Sequence, residues 1–237
     1  MADSNHGDVE LIGTWPSPFS MRPRIALNIK SVEYEFLQEQ EQLCSKSELL
    51  LQSNPVHKKV PVLVHNGKPI CESNIIVEYI DEVWPSGPSI LPADAHNRAV
   101  ARFWAAYVDE KCFPNLRAAV TAASEEEKNR AADQLKEVVV RMEGAHVEVS
   151  RGKDFFGGDR IGFVDIAFGS MLGWLRAVQV ILGGVKLLDE EKTPGLVKWA
   201  EKFSADPAVK DVLPETGKLI EFSKLLIAAI RAAAAED

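Results

Sequence analysis

VPVLVHNGKPICESNIIVEYI, residues 60–80, is the stretch on which the reading of the fold turns. Val60–Val64 and Lys68–Glu72 are short β-rich runs flanking His65-Asn66-Gly67. Asn-Gly between two such runs is the strongest short-range signal for a hairpin. Directly after it, Ile75, Ile76, Tyr79, Ile80, Val83 and Trp84 repeat at i, i+1, i+4 and i+5, the spacing of one buried helical face. Upstream, KSELLLQS (46–53) reads as a short helix that must end before Asn54-Pro55, since a residue preceding proline is driven out of the helical region. YEFL (34–37) reads as a strand, RIALNIK (24–30) as a helix and VELIGT (9–14) as a first strand. Residues 1–84 therefore follow the order βαβαββα, which implies a small mixed sheet with helices packed on it.

Downstream, PSGPSILPAD (85–94) carries three prolines and a glycine and marks a linker between domains. From residue 95 to 237 the pattern is helical only. Ala99, Val100, Phe103, Trp104, Tyr107 and Val108 form another stripe, and residues 125–149 form a long helix whose acidic first turn suits the helix dipole. FVDIAFGSMLGWLRAV (163–178) is nearly apolar throughout and is expected as the buried central helix. Further helices are expected near 194–204, 206–213 and 215–235, and no internal repeat occurs.

Composition narrows the function. The 237 residues are 46% hydrophobic, and 27 Lys+Arg against 35 Asp+Glu give a net charge of −8. Such a surface repels nucleic-acid phosphates and anionic membranes, so neither is expected as a partner. The polar, acidic MADSNHGDVE is the opposite of a signal peptide. No apolar run is expected to reach the ~18 residues of a membrane span, and LLIAAIRAAAA is interrupted by Arg231. Cys44, Cys71 and Cys112 lack CxxC spacing and read as reduced thiols in a cytoplasmic protein. Cys44 and Cys71 are assigned to packing. The five histidines form no HxxxH or HExxH pair, so no metal site is expected.

Three short segments carry chemistry. In WPSPF (15–19), Ser17 stands where strand one meets helix one, with Pro18 in the first helical position. That is an ordinary N-cap arrangement. The alternative is a hydroxyl aimed at a ligand anion beside the positive helix end. In HKKVPVL (57–63) a proline heads a strand, which suits a main chain whose polar groups face a ligand. ICES (70–73) ends a strand and opens a helix with Glu-Ser, an anion site next to a carboxylate. With Lys46 and Lys59, these segments describe a ligand bearing a thiol-like anion at one end and both carboxylate and ammonium groups elsewhere.

WPSPF, KSELLLQSNPVHKKVPVLVHNGKPICES, IVEYIDEVWPSGPSILPAD, ARFWAAYVDEK and FFGGDRIGFVDIAF closely resemble the plant tau-class glutathione S-transferases, most densely between residues 44 and 110. The resemblance implies a thioredoxin-like N-terminal domain and an all-helical C-terminal domain in a cytosolic homodimer. It implies conjugation of glutathione, the co-substrate in place of a bound cofactor, to hydrophobic electrophiles such as herbicides and chloronitrobenzenes. By motif position it implies that Ser17 contacts the glutathione sulfur, that Lys46 and Lys59 bind the glycyl carboxylate, that Val60 offers main-chain hydrogen bonds before a cis Pro61, and that Glu72 and Ser73 bind the γ-glutamyl end. Trp15, Phe19, Tyr107, Lys111, Trp174 and Phe222 fall where the family builds its electrophile site, with core packing as the other reading of each. A non-catalytic carrier of apolar ligands and a glutathione-dependent peroxidase are the alternatives. Serine at position 17 cannot form a mixed disulfide with glutathione, which argues against thioltransferase or dehydroascorbate reductase activity.

Two departures carry expectations. Pro23 lies inside the first helix, which should start loosely or kink near Phe19. Gly162 stands where relatives carry Ser or Thr, so Asp165 reads as a structural cap reaching back to the Gly162 N–H.

Overall fold

A computed structural model describes residues 8–39 and 46–236. Cys44 lies outside the described residues. The chain divides into two compact units, Met1–Ile90 and Leu91–Asp237.

The first unit grows from the hairpin. Asn66 and Gly67 both have positive φ, 51° and 71°, the type I′ geometry that matches the twist of the flanking strands. The turn fixes the register of β3 (Val62–His65) on β4 (Lys68–Cys71), with His65 opposite Lys68. β1 (Val9–Gly13) pairs antiparallel with β3 and parallel with β2 (Glu35–Gln38), in the order β2-β1-β3-β4. The helices are α1 (Pro18–Ile29), α2 (Glu48–Ser53) and α3 (Ser73–Val83), completing the expected βαβαββα order. Leu50 of α2 packs with Ile12 and Val62, while their strand neighbours Leu11 and Leu63 alternate to the other face. Gly13 is required by close approach: a Cβ there would lie 2.8 Å from the Phe36 ring and 3.0 Å from Ser20 Oγ.

α1 spans the buried Pro23, whose ring supplies no N–H for an i→i−4 bond. One expectation about these helices is corrected. On α3 the buried set is Ser73, Ile76, Val77 and Ile80, whereas Ile75 is 57% and Val83 38% exposed. The true stripe follows i, i+3, i+4, i+7 and is closed by Val77.

Among the described residues of the second unit the regular elements are all helices, apart from one isolated bridge at Phe155 and Gly158. α4 (Ala95–Tyr107) continues through a π-helical turn, Val108–Cys112, into α5 (Phe113–Thr121). Pro114 has no N–H for the Glu110 carbonyl, and just before it the ladder widens so that the Phe113 N–H reaches the Val108 carbonyl. The face of α4 is rotated from expectation: Ala101, Ala105 and Val108 are buried, and Phe103 is 61% exposed. α6 (Glu125–Ser150) has the expected span, and its N-cap Ser124 accepts the Glu127 N–H at 3.2 Å.

The expected helix 163–178 is two helices, α7 (Phe163–Gly169) and α8 (Leu172–Ile181). At the break the ladder tightens, with the Met171 N–H on the Phe168 carbonyl. Gly169 lies under the Phe203 ring so closely that a Cβ would fall 2.2 Å from it. Taken together, Phe163–Ile181 is long and apolar enough to cross a membrane, contrary to expectation, and 78% of it is buried inside this fold. α9 (Pro194–Ala205) and α10 (Thr216–Glu236) follow. Residues 206–213, expected as helix, are turns. There Asp206 Oδ1 accepts the Ala208 N–H at 2.9 Å, and Pro214 halts the run.

Asp165, on α7, is wholly buried and holds this unit together. Oδ1 accepts from the Phe156 N–H (2.9 Å) and the Trp199 indole (2.7 Å). Oδ2 accepts from the Gly157 (2.8 Å) and Gly162 (2.9 Å) N–H groups. The expected bond to Gly162 is therefore one of four. Burial pushes the carboxyl above the usual carboxylate range, and the four donors pull against that rise. Trp199 in turn stacks on Phe168 and Phe203, with ring centroids 5.1 and 5.3 Å away.

Candidate active site

The strand registers gather the predicted site residues at one edge of the sheet. Ile12 is opposite Val62, Val62 is opposite Cys71, and Gly13 is opposite Gln38. The C-terminal ends of β1, β2 and β4 and the N-terminal end of β3 therefore share that edge. Ser17 follows β1, Lys59, Val60 and Pro61 precede β3, and Glu72 and Ser73 follow β4. Lys46 is drawn to the same edge beyond β2 by Glu39, whose carboxylate accepts the Ser47 N–H (2.6 Å) and hydroxyl (2.8 Å). Glu39 is itself fastened to β1 by its N–H on the Gly13 carbonyl at 2.7 Å.

Each segment is held locally. The Ser17 N–H donates to the Thr14 carbonyl at 3.2 Å, closing a tight turn. Ser17 Oγ is the N-cap of α1 and accepts the Ser20 N–H at 3.2 Å. Accepting that bond leaves the hydroxyl proton available for donation, so capping and ligand contact do not compete. The Val60–Pro61 bond is cis. The loop before it is organised by buried Asn54, whose side-chain N–H donates to the Lys59 carbonyl (2.9 Å) while its side-chain oxygen accepts the His57 N–H (3.1 Å). Glu72 has φ 72° and ψ 114°, a conformation that costs a non-glycine residue about 1–3 kcal/mol and recurs at functional sites. Its carboxylate is half exposed and lies 4.0 Å from His57 Nε2.

Arg22, fully buried on α1, bridges the segments. Its Nη1 donates to Ser73 Oγ and to Asn74 Oδ1, both at 3.2 Å, and its guanidinium lies 4.9 Å from the centroid of the Phe19 ring. The helix that starts at Ser17 is thereby tied to the helix that starts at Ser73. Lys46 and Lys59 are exposed, so both ammonium groups are available to a carboxylate. Burial first, and the Glu72 charge second, push the Cys71 thiol up, and Sγ lies 3.7 Å from the Ser53 carbonyl oxygen.

Of the expected electrophile-site residues, Trp15 and Phe19 are half-buried in the first unit. The other four belong to the second. Trp174 and Phe222 meet edge to face at 6.4 Å, and Tyr107 stands edge to face with Trp104 at 5.5 Å. Burial raises the Tyr107 phenol above its ordinary value, so it is a neutral hydroxyl near neutrality. Lys111 is exposed on the π-helical turn, and such turns are frequent at functional sites. Sequence reasoning missed Arg22, Glu39, Asn54 and His57. Asn54 carried a usable signal as the residue before Pro55, but that signal reads only as a helix stop.

Residues 7–82 match the family model for the glutathione S-transferase N-terminal domain, and residues 96–207 match that for its C-terminal domain. Glutathione S-transferase U17 of Arabidopsis thaliana is 62% identical over 218 residues, covering 92% of this chain and 95% of the relative. Glutathione S-transferase U18 of the same plant is 58% identical, covering 92% and 96%. Among solved structures, a tau-class glutathione S-transferase from mango superposes with a TM-score of 0.88 at 62% identity, covering 92% of this chain and 98% of that one. A rice enzyme solved in complex with glutathione gives 0.86 at 34% identity, covering 95% and 99%.

Proposed function

This chain belongs to the tau class of the glutathione S-transferase family, and from that premise we propose that its sheet edge binds glutathione with Ser17 on the sulfur. As a glutathione S-transferase it adds the glutathione thiol to an electrophile. A free thiol is mostly protonated near neutrality and only the thiolate attacks well, so the site must favour the anion. Ser17 does this by donating its free proton, with the N-terminal end of α1 adding a smaller contribution of the same sign. Lys46 and Lys59 take the glycyl carboxylate, the Val60 main chain pairs with the peptide, and Glu72 and Ser73 take the ammonium and carboxylate of the γ-glutamyl end. The observation that carries this reading is the convergence of all these residues on one edge.

The electrophile is hydrophobic on this reading, received by Trp15, Phe19, Tyr107, Lys111, Trp174 and Phe222. A cytosolic homodimer is part of the same reading. The purified enzyme should turn over a chloronitrobenzene with glutathione, followed by absorbance of the conjugate. Saturable binding of the same compound without turnover would make the protein a carrier instead.

Glu72 provides a sharper test. Glu72→Gln keeps the size and hydrogen bonding of the side chain and removes its charge. The KM for glutathione should rise several-fold, with little effect on a des-amino glutathione analogue that lacks the ammonium. Equal effects on both ligands, together with a lower melting temperature, would assign Glu72 to structure alone.

A further inference from the structure

An open cavity of about 260 Å³ lies wholly within the second unit, between the last turns of α6, the reversal that follows them and the outer face of α9. Arg151 and Gly152 make the reversal in the left-handed region, with φ 53° and 78°, and bring Lys153 and Asp154 to the cavity wall. Two polar residues one turn apart on α6 line it from within: His146 is 7% and Ser150 3% exposed. The Ser150 hydroxyl has no hydrogen-bond partner among the described residues. His146 Nε2 lies 3.4 Å from the Asp154 carbonyl oxygen.

The charges around it reverse the sign of the molecule. In a chain of net charge −8, Lys153, Lys198 and Lys202 surround this cavity together with a single carboxylate, Asp154. Asp154 is paired with Lys202, and Lys153 with Asp159. Lys198 has no ion pair among the described residues. Glu143, also on α6, gives its two oxygens to the N–H groups of Gly195 and Leu196 at 2.9 and 2.8 Å. The Lys198 ammonium and the Ser150 hydroxyl therefore line one space, neither side chain with an ion pair or hydrogen bond among the described residues, and Val147 gives the space an apolar side.

We propose that this cavity is a second ligand site, separate from the glutathione site, for a compact organic anion: an oxyanion head on a small apolar body. The head takes a charge-assisted bond from Lys198 and the Ser150 proton, and the body lies along Val147. Drug-sized ligands occupy pockets of about 300–1,000 Å³, so the occupant is smaller than these. Its binding needs none of the residues assigned to glutathione.

The test is calorimetric titration of the full-length protein with phenyl phosphate, at low ionic strength, with the glutathione site kept filled by a saturating S-alkyl glutathione. Saturable binding of one molecule per chain is expected. Inorganic phosphate, the head alone, and benzyl alcohol, the body alone, should each bind roughly tenfold more weakly or worse. Lys198→Glu, on an exposed side chain, should weaken phenyl phosphate by roughly tenfold or more, and Ser150→Ala by about threefold. Both variants should keep the wild-type conjugation rate and melting temperature. Absence of saturable binding to the wild type overturns the proposal, as does an affinity unchanged by Lys198→Glu. Equal affinity for inorganic and phenyl phosphate would remove the organic body from it.

Discussion

Asp165→Ala is expected to melt about 8–16 °C below the wild type, while each folded molecule turns over normally. The substitution strands four buried donors at once: the Phe156, Gly157 and Gly162 N–H groups and the Trp199 indole. Each unsatisfied buried donor costs about 1–3 kcal/mol, so four cost about 4 kcal/mol at the least. Losing a simple helix cap would cost only about 0.5–2 kcal/mol. For a chain of this length about 4 kcal/mol corresponds to the stated drop in melting temperature, a large part of a typical total stability of about 5–15 kcal/mol. Asp165→Asn does not rescue it, because the amide nitrogen is itself a donor and faces two of the four N–H groups. Thermal melting followed by Trp fluorescence gives the first quantity, and conjugation at a permissive temperature gives the second. A variant that melts with the wild type but has lost turnover would move Asp165 from the core into the chemistry.

The contrast between one expected bond and four observed shows how far the sequence could be read. Element order and hairpin register were legible because they rest on contacts close in the chain: Asn66-Gly67 sets the turn, and Pro55 ends α2. The N-cap at Ser17 and the span of α6 are local in the same way. What failed depends on partners distant in sequence. Gly162-to-Asp165 is three residues and readable, whereas the Trp199 indole is 34 residues from Asp165. The phases of α3 and α4 were misread because Ile75 and Phe103 are as apolar as the residues truly buried, and only the fold decides which side of a helix is covered. Nothing in residues 163–178 announces the break between α7 and α8, or the close approach of Phe203 to Gly169 beside it. In the site, the residues that would touch glutathione were nameable from the family's motifs. Those that orient them were not: Arg22 and Asn54 act through hydrogen bonds to groups that become neighbours only when the sheet forms.

Ser17→Ala is expected to lower the conjugation rate at about pH 6.5 by roughly ten- to a hundredfold and to leave glutathione affinity nearly unchanged. A hydrogen bond to a charged group is worth about 1.5–3 kcal/mol, which raises the pKa of the bound thiol by about one to two pH units when it is lost. Well below that pKa the thiolate fraction, and hence the rate, falls by the same factor. Affinity for glutathione changes little because most of the ligand is held through its two ends, by Lys46, Lys59, Glu72 and Ser73. The hydroxyl also caps α1 through the Ser20 N–H, so the variant should lose about 0.5–2 kcal/mol of stability besides. The two roles separate in the pH profile: a missing cap lowers the melting temperature and leaves the profile in place, whereas a missing donor displaces the acidic limb of kcat/KM for the electrophile, at saturating glutathione, to higher pH. Ser17→Thr, which keeps a hydroxyl, should restore the limb. Ser17→Cys changes the chemistry instead, placing a second sulfur where the first is bound. Incubated with oxidised glutathione, its thiolate should displace one glutathione and form a mixed disulfide visible by mass spectrometry. An Ala variant with a wild-type rate and an unmoved limb, or a Cys variant that never forms that disulfide, would leave Ser17 as a cap and require another donor for the sulfur.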